Sequence, residues 1–263
     1  MPAARATSPS SPAPRRATAT TAWSISARSA PASAACRGRS WSPPTGSHQR
    51  WRGKGPFTKD RSVVTRLPIS GDLVTYVASA DYDPRDARSF SAAERFGRQQ
   101  AWAYLEAIRS IPGCERAYLV STGPEFGTRE SRHIESAYQL TWQDVVDGRA
   151  MANSIALGAW GVEWHDRKTF ESTFVYPPDK ATYEIPLGCL TSRDTANLFA
   201  AGRLADADQR AGASLRVMGT AFATGQAAGV AAALCAGQGT VDAAEVQAVL
   251  RRQGALVRRA DRL

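Results

Sequence analysis

The side chains in this 263-residue sequence that are suited to chemistry on a bound organic molecule fall in three places. Arg129 and Arg132 lie three residues apart in Gly127-Thr128-Arg129-Glu130-Ser131-Arg132. A guanidinium is a planar, permanently charged fork that matches a carboxylate. The competing use is an ion pair inside the protein, with Glu130 between the two arginines. His165, followed by Asp166, has an ordinary pKa near neutrality and can give or take a proton; a lone histidine of this kind serves equally well as a structural residue. The third place is residues 197–233. An apolar run, 197–201, stops at Gly202 as a buried strand does in an α/β sheet. After a polar loop come the small residues Gly219, Ala221, Ala223, Gly225, Ala227, Ala228, Gly229 and Ala231. Side chains this small let a helix backbone lie close against a sheet or a flat ligand. Ser214 marks the helix start, where free backbone N–H groups favour anions and electron-rich oxygens. The plain alternative is an Ala/Gly-rich packing helix with no ligand.

Several elements must position these groups. The β-branched and aromatic runs 63–67 and 73–77 are split by the turn cluster Pro68-Ile69-Ser70-Gly71-Asp72, which predicts a hairpin. Ser91 and Glu94 form a capping box. The helix after it carries Ala101, Tyr104, Leu105 and Ile108 on one face and stops at Pro112-Gly113. Residues 117–120 read as a buried strand. Thr141 to Asp144 opens a short helix. Asp242 to Glu245 opens a last one, with Val246, Val249 and Leu250 on its inner face and Gly254 at its end.

Taken together these stretches resemble a family of FAD-dependent oxidoreductases. The matching pieces are Gly127 to Arg132, Trp164-His165-Asp166 read as a loop, and Tyr183-Glu184-Ile185-Pro186 leading to Cys189-Leu190. They continue with Ala201-Gly202-Arg203, Ser214-Leu215-Arg216-Val217-Met218 and Gly225-Gln226-Ala227-Ala228-Gly229. Their collinearity from about residue 57 to 256 is what makes short motifs specific. The resemblance implies FAD as cofactor, touched by Gly202, Arg203, Ser214, Arg216, Val217, Met218 and Gly219. It also implies His165, Arg132 and Arg129 as catalytic candidates, and hydride transfer between a small organic substrate and the flavin. For Arg203 and Arg216 the alternative is solvation at strand and helix ends. Cys189 reads as a small core residue, with nothing nearby to activate a thiolate.

Such flavoproteins begin with a βαβ unit carrying Gly-x-Gly-x-x-Gly, and no such motif occurs here. The expected fold is therefore α/β, α+β in appearance because it is truncated. A substrate-type region would cover 56–182 and the C-terminal part of a FAD-binding domain of the glutathione-reductase-2 type would cover 183–257. The rival reading is a non-catalytic fragment without cofactor.

Composition narrows the remaining classes. The nine basic residues of 1–55, unaccompanied by any acid, account for the whole net charge of +9; the other 24 basic residues are balanced by 24 acidic ones. A nucleic-acid function would rest on that end alone, and none is expected. Residues 1–55 hold seven prolines, ten serines and no Leu, Val or Phe, a composition that predicts disorder. A transit peptide, a basic interaction arm and a misread upstream frame are the alternatives. Cys36, Cys114, Cys189 and Cys235 form no C-x-x-C pair, and His48, His133 and His165 lie at no metal-ligand spacing. No metal is expected, and a reducing, cytoplasmic compartment is. No apolar run reaches about 18 residues, so no membrane span is expected.

Overall fold

The computed structural model describes residues 17–20, 23–26, 40–41, 56–59, 62–111, 114–166, 172–178 and 182–261. Helix and strand are mixed, compatible with the expected α/β class, and all the named strand pairs are antiparallel. Within the stretch expected to be disordered, Ala17–Thr20 (β1), Trp23–Ser26 (β2) and Ser40–Trp41 (β3) are strands. The rest of 1–55 lies outside the described residues. The predicted hairpin is present as β4 (Ser62–Arg66) and β5 (Leu73–Thr75), with Arg66 opposite Leu73. Its turn closes with the Asp72 carbonyl accepting from the Leu67 N–H at 2.8 Å, and with Gly71 at φ 76°. β2 joins β5 to β7 (Tyr118–Thr122), giving a five-stranded sheet in the order β3-β4-β5-β2-β7. β7 is a strand as expected but not a fully buried one: Tyr118 and Val120 are exposed, Leu119 is partly buried against the core, and the preceding Ala117 is fully buried.

β6 (Ser79–Tyr82) leads to α1 (Ala87–Arg109). This helix starts four residues before the Ser91 capping box, because Asp86 supplies an earlier cap, accepting from the Arg88 N–H. Ala101, Tyr104 and Leu105 are buried on the predicted face. Gln100 is fully buried among them, its amide bonded to both backbone groups of Ser79 and to Thr58. The segment before the hairpin is thereby tied to α1.

The larger core gathers α2 (Trp142–Val146), β8 (Ser154–Gly158), β11 (Tyr183–Pro186), α3 (Gln209–Leu215), α4 (Met218–Gln238) and α5 (Ala243–Arg252). The Thr141–Asp144 cap forms reciprocally, as its spacing predicts. β8 pairs with β11, and the Tyr183 ring lies so close over Gly158 that a Cβ there would sit 2.1 Å from it. Leu140, Ile155 and Val162 share this core with Ile185, Leu215 and Leu250, so the boundary expected between 182 and 183 runs through one packed unit. Val246, Gln247 and Leu250 are the buried residues of the last helix, and Gly254 follows its end at φ 79°.

Two expectations about residues 197–233 are corrected. The run 197–201 is not a strand: it meets residues 190–192 through a single antiparallel bridge, Thr191 to Phe199, and then enters a 3-10 turn, Gly202–Leu204. Ser214 does not start the long helix. It is buried in α3, and α4 begins after Val217. α4 buries Thr220, Thr224, Ala227, Ala231 and Cys235 and leaves its other face exposed. Among the described residues α4 is also the one helix long and apolar enough, by length and composition alone, to cross a membrane, although Thr220, Thr224 and Gln226 interrupt its apolar run. Its alanines outweigh the scattered Thr and Gln in mean hydropathy.

Candidate functional site

The site forms where three segments meet: β9 (Val162–His165), the stretch 127–133, and the turn from α3 into α4. β9 pairs with β10 (Ser172–Val175), placing Glu163 opposite Phe174 and His165 opposite Ser172. His165 therefore sits on a strand rather than the expected loop. Alternation turns Glu163 and His165 to one side, and Glu163 supplies a partner carboxylate to His165. Glu163 Oε1 lies 3.0 Å from His165 Nε2, and His165 Nδ1 lies 2.8 Å from Ser172 Oγ. Burial pushes Glu163 up, but His165, Arg129 and Trp160 together hold it down to about 2. Burial, Arg129 and Arg216 push His165 below its ordinary value against the pull of Glu163, so the imidazole is neutral at pH 7.

Arg129 comes to this cluster. Burial, with Arg216 beside it, lowers it to about 10. Arg216, the C-terminal cap of α3, sits 3.4 Å from Glu130 Oε1 and is lowered in the same direction by its burial. Glu130 in turn faces His133 Nε2 at 3.4 Å, and His133 Nδ1 donates to the Ala205 carbonyl at 2.7 Å. Arg132 is exposed. Glu130 thus meets both Arg216 and His133.

Gly202 is buried at φ 59°, its N–H donating 3.1 Å to Thr224 Oγ1 of α4. A Cβ here would meet Ala221 at 3.3 Å, so glycine is needed both for the left-handed backbone and for the close approach to the helix. The turn sets Arg203 at the surface, donating to the Thr128 carbonyl and within the field of Arg216. The α4 N-terminus has no side-chain cap, because Val217 offers none. Met218 is 78 % exposed, and nothing lies within 4 Å of a Cβ built on Gly219. Ser214, by contrast, is committed: its hydroxyl bonds the Tyr183 hydroxyl at 2.7 Å and donates to the Trp160 carbonyl at 2.6 Å. It braces the site from beneath.

Sequence reading missed Lys59, Glu163 and Trp160. Tyr104 holds both backbone groups of Lys59, its hydroxyl accepting from the N–H at 2.9 Å and donating to the carbonyl at 2.7 Å. Burial, then Arg129, lower the Lys59 amine to about 8. Only the fold brings residue 59 to residue 129. Glu163 was findable, as the second acidic or basic position on one face of an alternating strand. Cys189 is buried and its thiol pushed up by burial, consistent with a core role.

These residues fit one part of FAD and not another. An open helix N-terminus beside two guanidiniums, with no side chain on Gly219, suits the electron-rich edge of a flavin. The pyrophosphate has no glycine-rich loop to receive it in this sequence. No curated protein and no solved structure matches the chain. A family model described as FAD dependent oxidoreductase matches residues 16–250, which is most of the sequence. The collinear motifs and the arrangement around the α4 N-terminus thus have one common explanation: the chain belongs to the FAD dependent oxidoreductase family.

Proposed function

We propose that this chain supplies the substrate side and the flavin-edge contacts of an oxidoreductase that passes a hydride between a small organic molecule and FAD. The observation that carries the reading is the uncapped, exposed start of α4 flanked by Arg203 and Arg216. FAD, when bound, supplies the two-electron chemistry. Gly202, Arg203, Arg216, Val217, Met218 and Gly219 are the residues that would hold its ring. The free N–H groups of α4 would favour negative charge at that edge by roughly 0.3–1 kcal/mol, more where partly buried. Arg129 and Arg216 add fixed positive charge in a half-buried setting, where it acts more strongly than in water. His165, neutral and fixed between Ser172 and Glu163, holds its proton at Nε2 toward the Glu163 carboxylate and leaves Nδ1 as the acceptor beside Ser172 Oγ. Arg132 lies outside this arrangement and serves, in this reading, at the substrate's entrance.

The pyrophosphate contacts absent from this sequence are charge-assisted hydrogen bonds, each worth roughly 1.5–3 kcal/mol. The chain by itself is therefore expected to bind FAD weakly and to purify colourless. The test titrates FAD by fluorescence quenching, first with the chain alone and then with a separately expressed dinucleotide-binding half from a relative. Binding restored by the added half and weakened again by Arg216→Ala supports the proposal. An unchanged titration with Arg216→Ala or Gly219→Leu in the reconstituted protein rules out the α4 assignment.

A further inference from the structure

We propose that Tyr82 is a positioning residue for Arg203, its hydroxyl fixing Thr128 so that the Thr128 carbonyl holds the Arg203 guanidinium in place. This rests on the reading that Arg203 meets the edge of the flavin, and adds the group that keeps it there.

An arginine at that place needs an anchor. Arg203 lies at the surface on the turn Gly202–Leu204, where a long side chain has many rotamers open to it. Arg216 is a like charge within its field and pushes it outward. The contact that opposes this is the bond Arg203 Nη1 donates to the Thr128 carbonyl. Two further bonds hold the same pair of segments together. The Ile134 N–H donates to the Leu204 carbonyl at 3.0 Å, and His133 Nδ1 to the Ala205 carbonyl at 2.7 Å.

The carbonyl is only as well placed as the residue that carries it. The Thr128 hydroxyl is bonded to the Tyr82 hydroxyl, at the end of β6. Tyr82 is buried, and its ring meets Phe90 of α1 edge-on at 5.6 Å and Phe126 at 6.4 Å. Phe126 in turn lies so close over Gly97 of α1 that a Cβ there would stand 2.6 Å from its ring. Burial raises the Tyr82 phenol, which therefore keeps its proton at neutral pH, while the nearby Arg203 charge pulls it the other way. A packed aromatic cluster against α1 is thus joined through Thr128 to a surface arginine, by bonds that span 46 and 75 residues of chain. A phenylalanine would fill the same core equally well; the hydroxyl serves the bond to Thr128.

The test reads Arg203 both without and with flavin. In the full chain free of FAD, the Arg203 Nε–H resonance is assigned from Arg203→Lys, and its nitrogen relaxation reports how ordered the side chain is. Tyr82→Phe and Thr128→Val are each expected to make it mobile. Thr128→Ser, which keeps the hydroxyl, should leave it ordered. In the chain reconstituted with the dinucleotide-binding half, Arg203→Ala is expected to weaken FAD about tenfold and Tyr82→Phe about threefold, as loss of a hydrogen bond does. Tyr82→Phe should have no further effect in the Arg203→Ala chain, because it acts through that side chain; a merely structural loss would add to it. Unchanged order in a folded Tyr82→Phe or Thr128→Val chain overturns the proposal, and so do additive losses of FAD affinity. A failure of the flavin reading looks different: Tyr82→Phe loosens Arg203 in the free chain, yet Arg203→Ala leaves FAD affinity in the reconstituted protein untouched.

Discussion

Replacing Gly202 with alanine tests how closely the turn that carries Arg203 packs on α4. Gly202 has φ 59°, a backbone that costs an L-residue roughly 1–2 kcal/mol. The added methyl would stand 3.3 Å from the Ala221 Cβ on α4, and the turn must move outward to relieve the contact. That movement stretches the buried bond from the Gly202 N–H to Thr224 Oγ1, a contribution of about 0.5–1.5 kcal/mol. Together Gly202→Ala should destabilise by about 2–3 kcal/mol. For a unit of this size that lowers Tm by roughly 4–12 °C. The control is Gly225→Ala, on the same helix with nothing within 4 Å of the new Cβ. There the higher helix propensity of alanine should stabilise by about 0.8–1 kcal/mol. Urea unfolding of the two variants beside the parent reads both signs. If Gly202→Ala unfolds within ~0.5 kcal/mol of the parent, or if both glycines shift stability in the same direction, the close-approach argument fails.

Two further outcomes follow from the same contacts. Ser214→Ala should destabilise more than Tyr183→Phe, by roughly 1–3 kcal/mol for each buried group left unsatisfied, because it strands both the Tyr183 hydroxyl and the Trp160 carbonyl; equal losses in thermal unfolding would refute the brace. Glu163 is held at about 2 against an ordinary 4.5, so its stabilisation is fully present above about 4.5 and is lost as pH falls toward 2. Glu163→Gln should flatten the acid limb of stability against pH across that window, and an unchanged limb in acid titrations followed by circular dichroism would show that the carboxylate carries no such linkage.

The sequence alone determined what depends on local spacing. The hairpin at 62–75, the reciprocal cap at Thr141 and the buried faces of α1 and α5 are all legible, because turn residues, caps and periodicity act within a few positions. The collinear order of the Arg129, Ala201-Gly202-Arg203 and Gly225 motifs pointed to the family that the match over 16–250 establishes. Tertiary structure decided the rest. The carboxylate that faces His165 is Glu163, two residues back on the same face of the strand, because a strand turns alternate residues to one side. Ser214 looked like a helix cap and is a buried brace, because packing against Tyr183 and Trp160 determines what its hydroxyl meets. Lys59 reaches Arg129 only because Gln100 and Tyr104 of α1 tie its segment down 42 and 45 residues away. Contacts across such separations depend on chain closure and packing rather than on local pattern, so only the folded chain could reveal them.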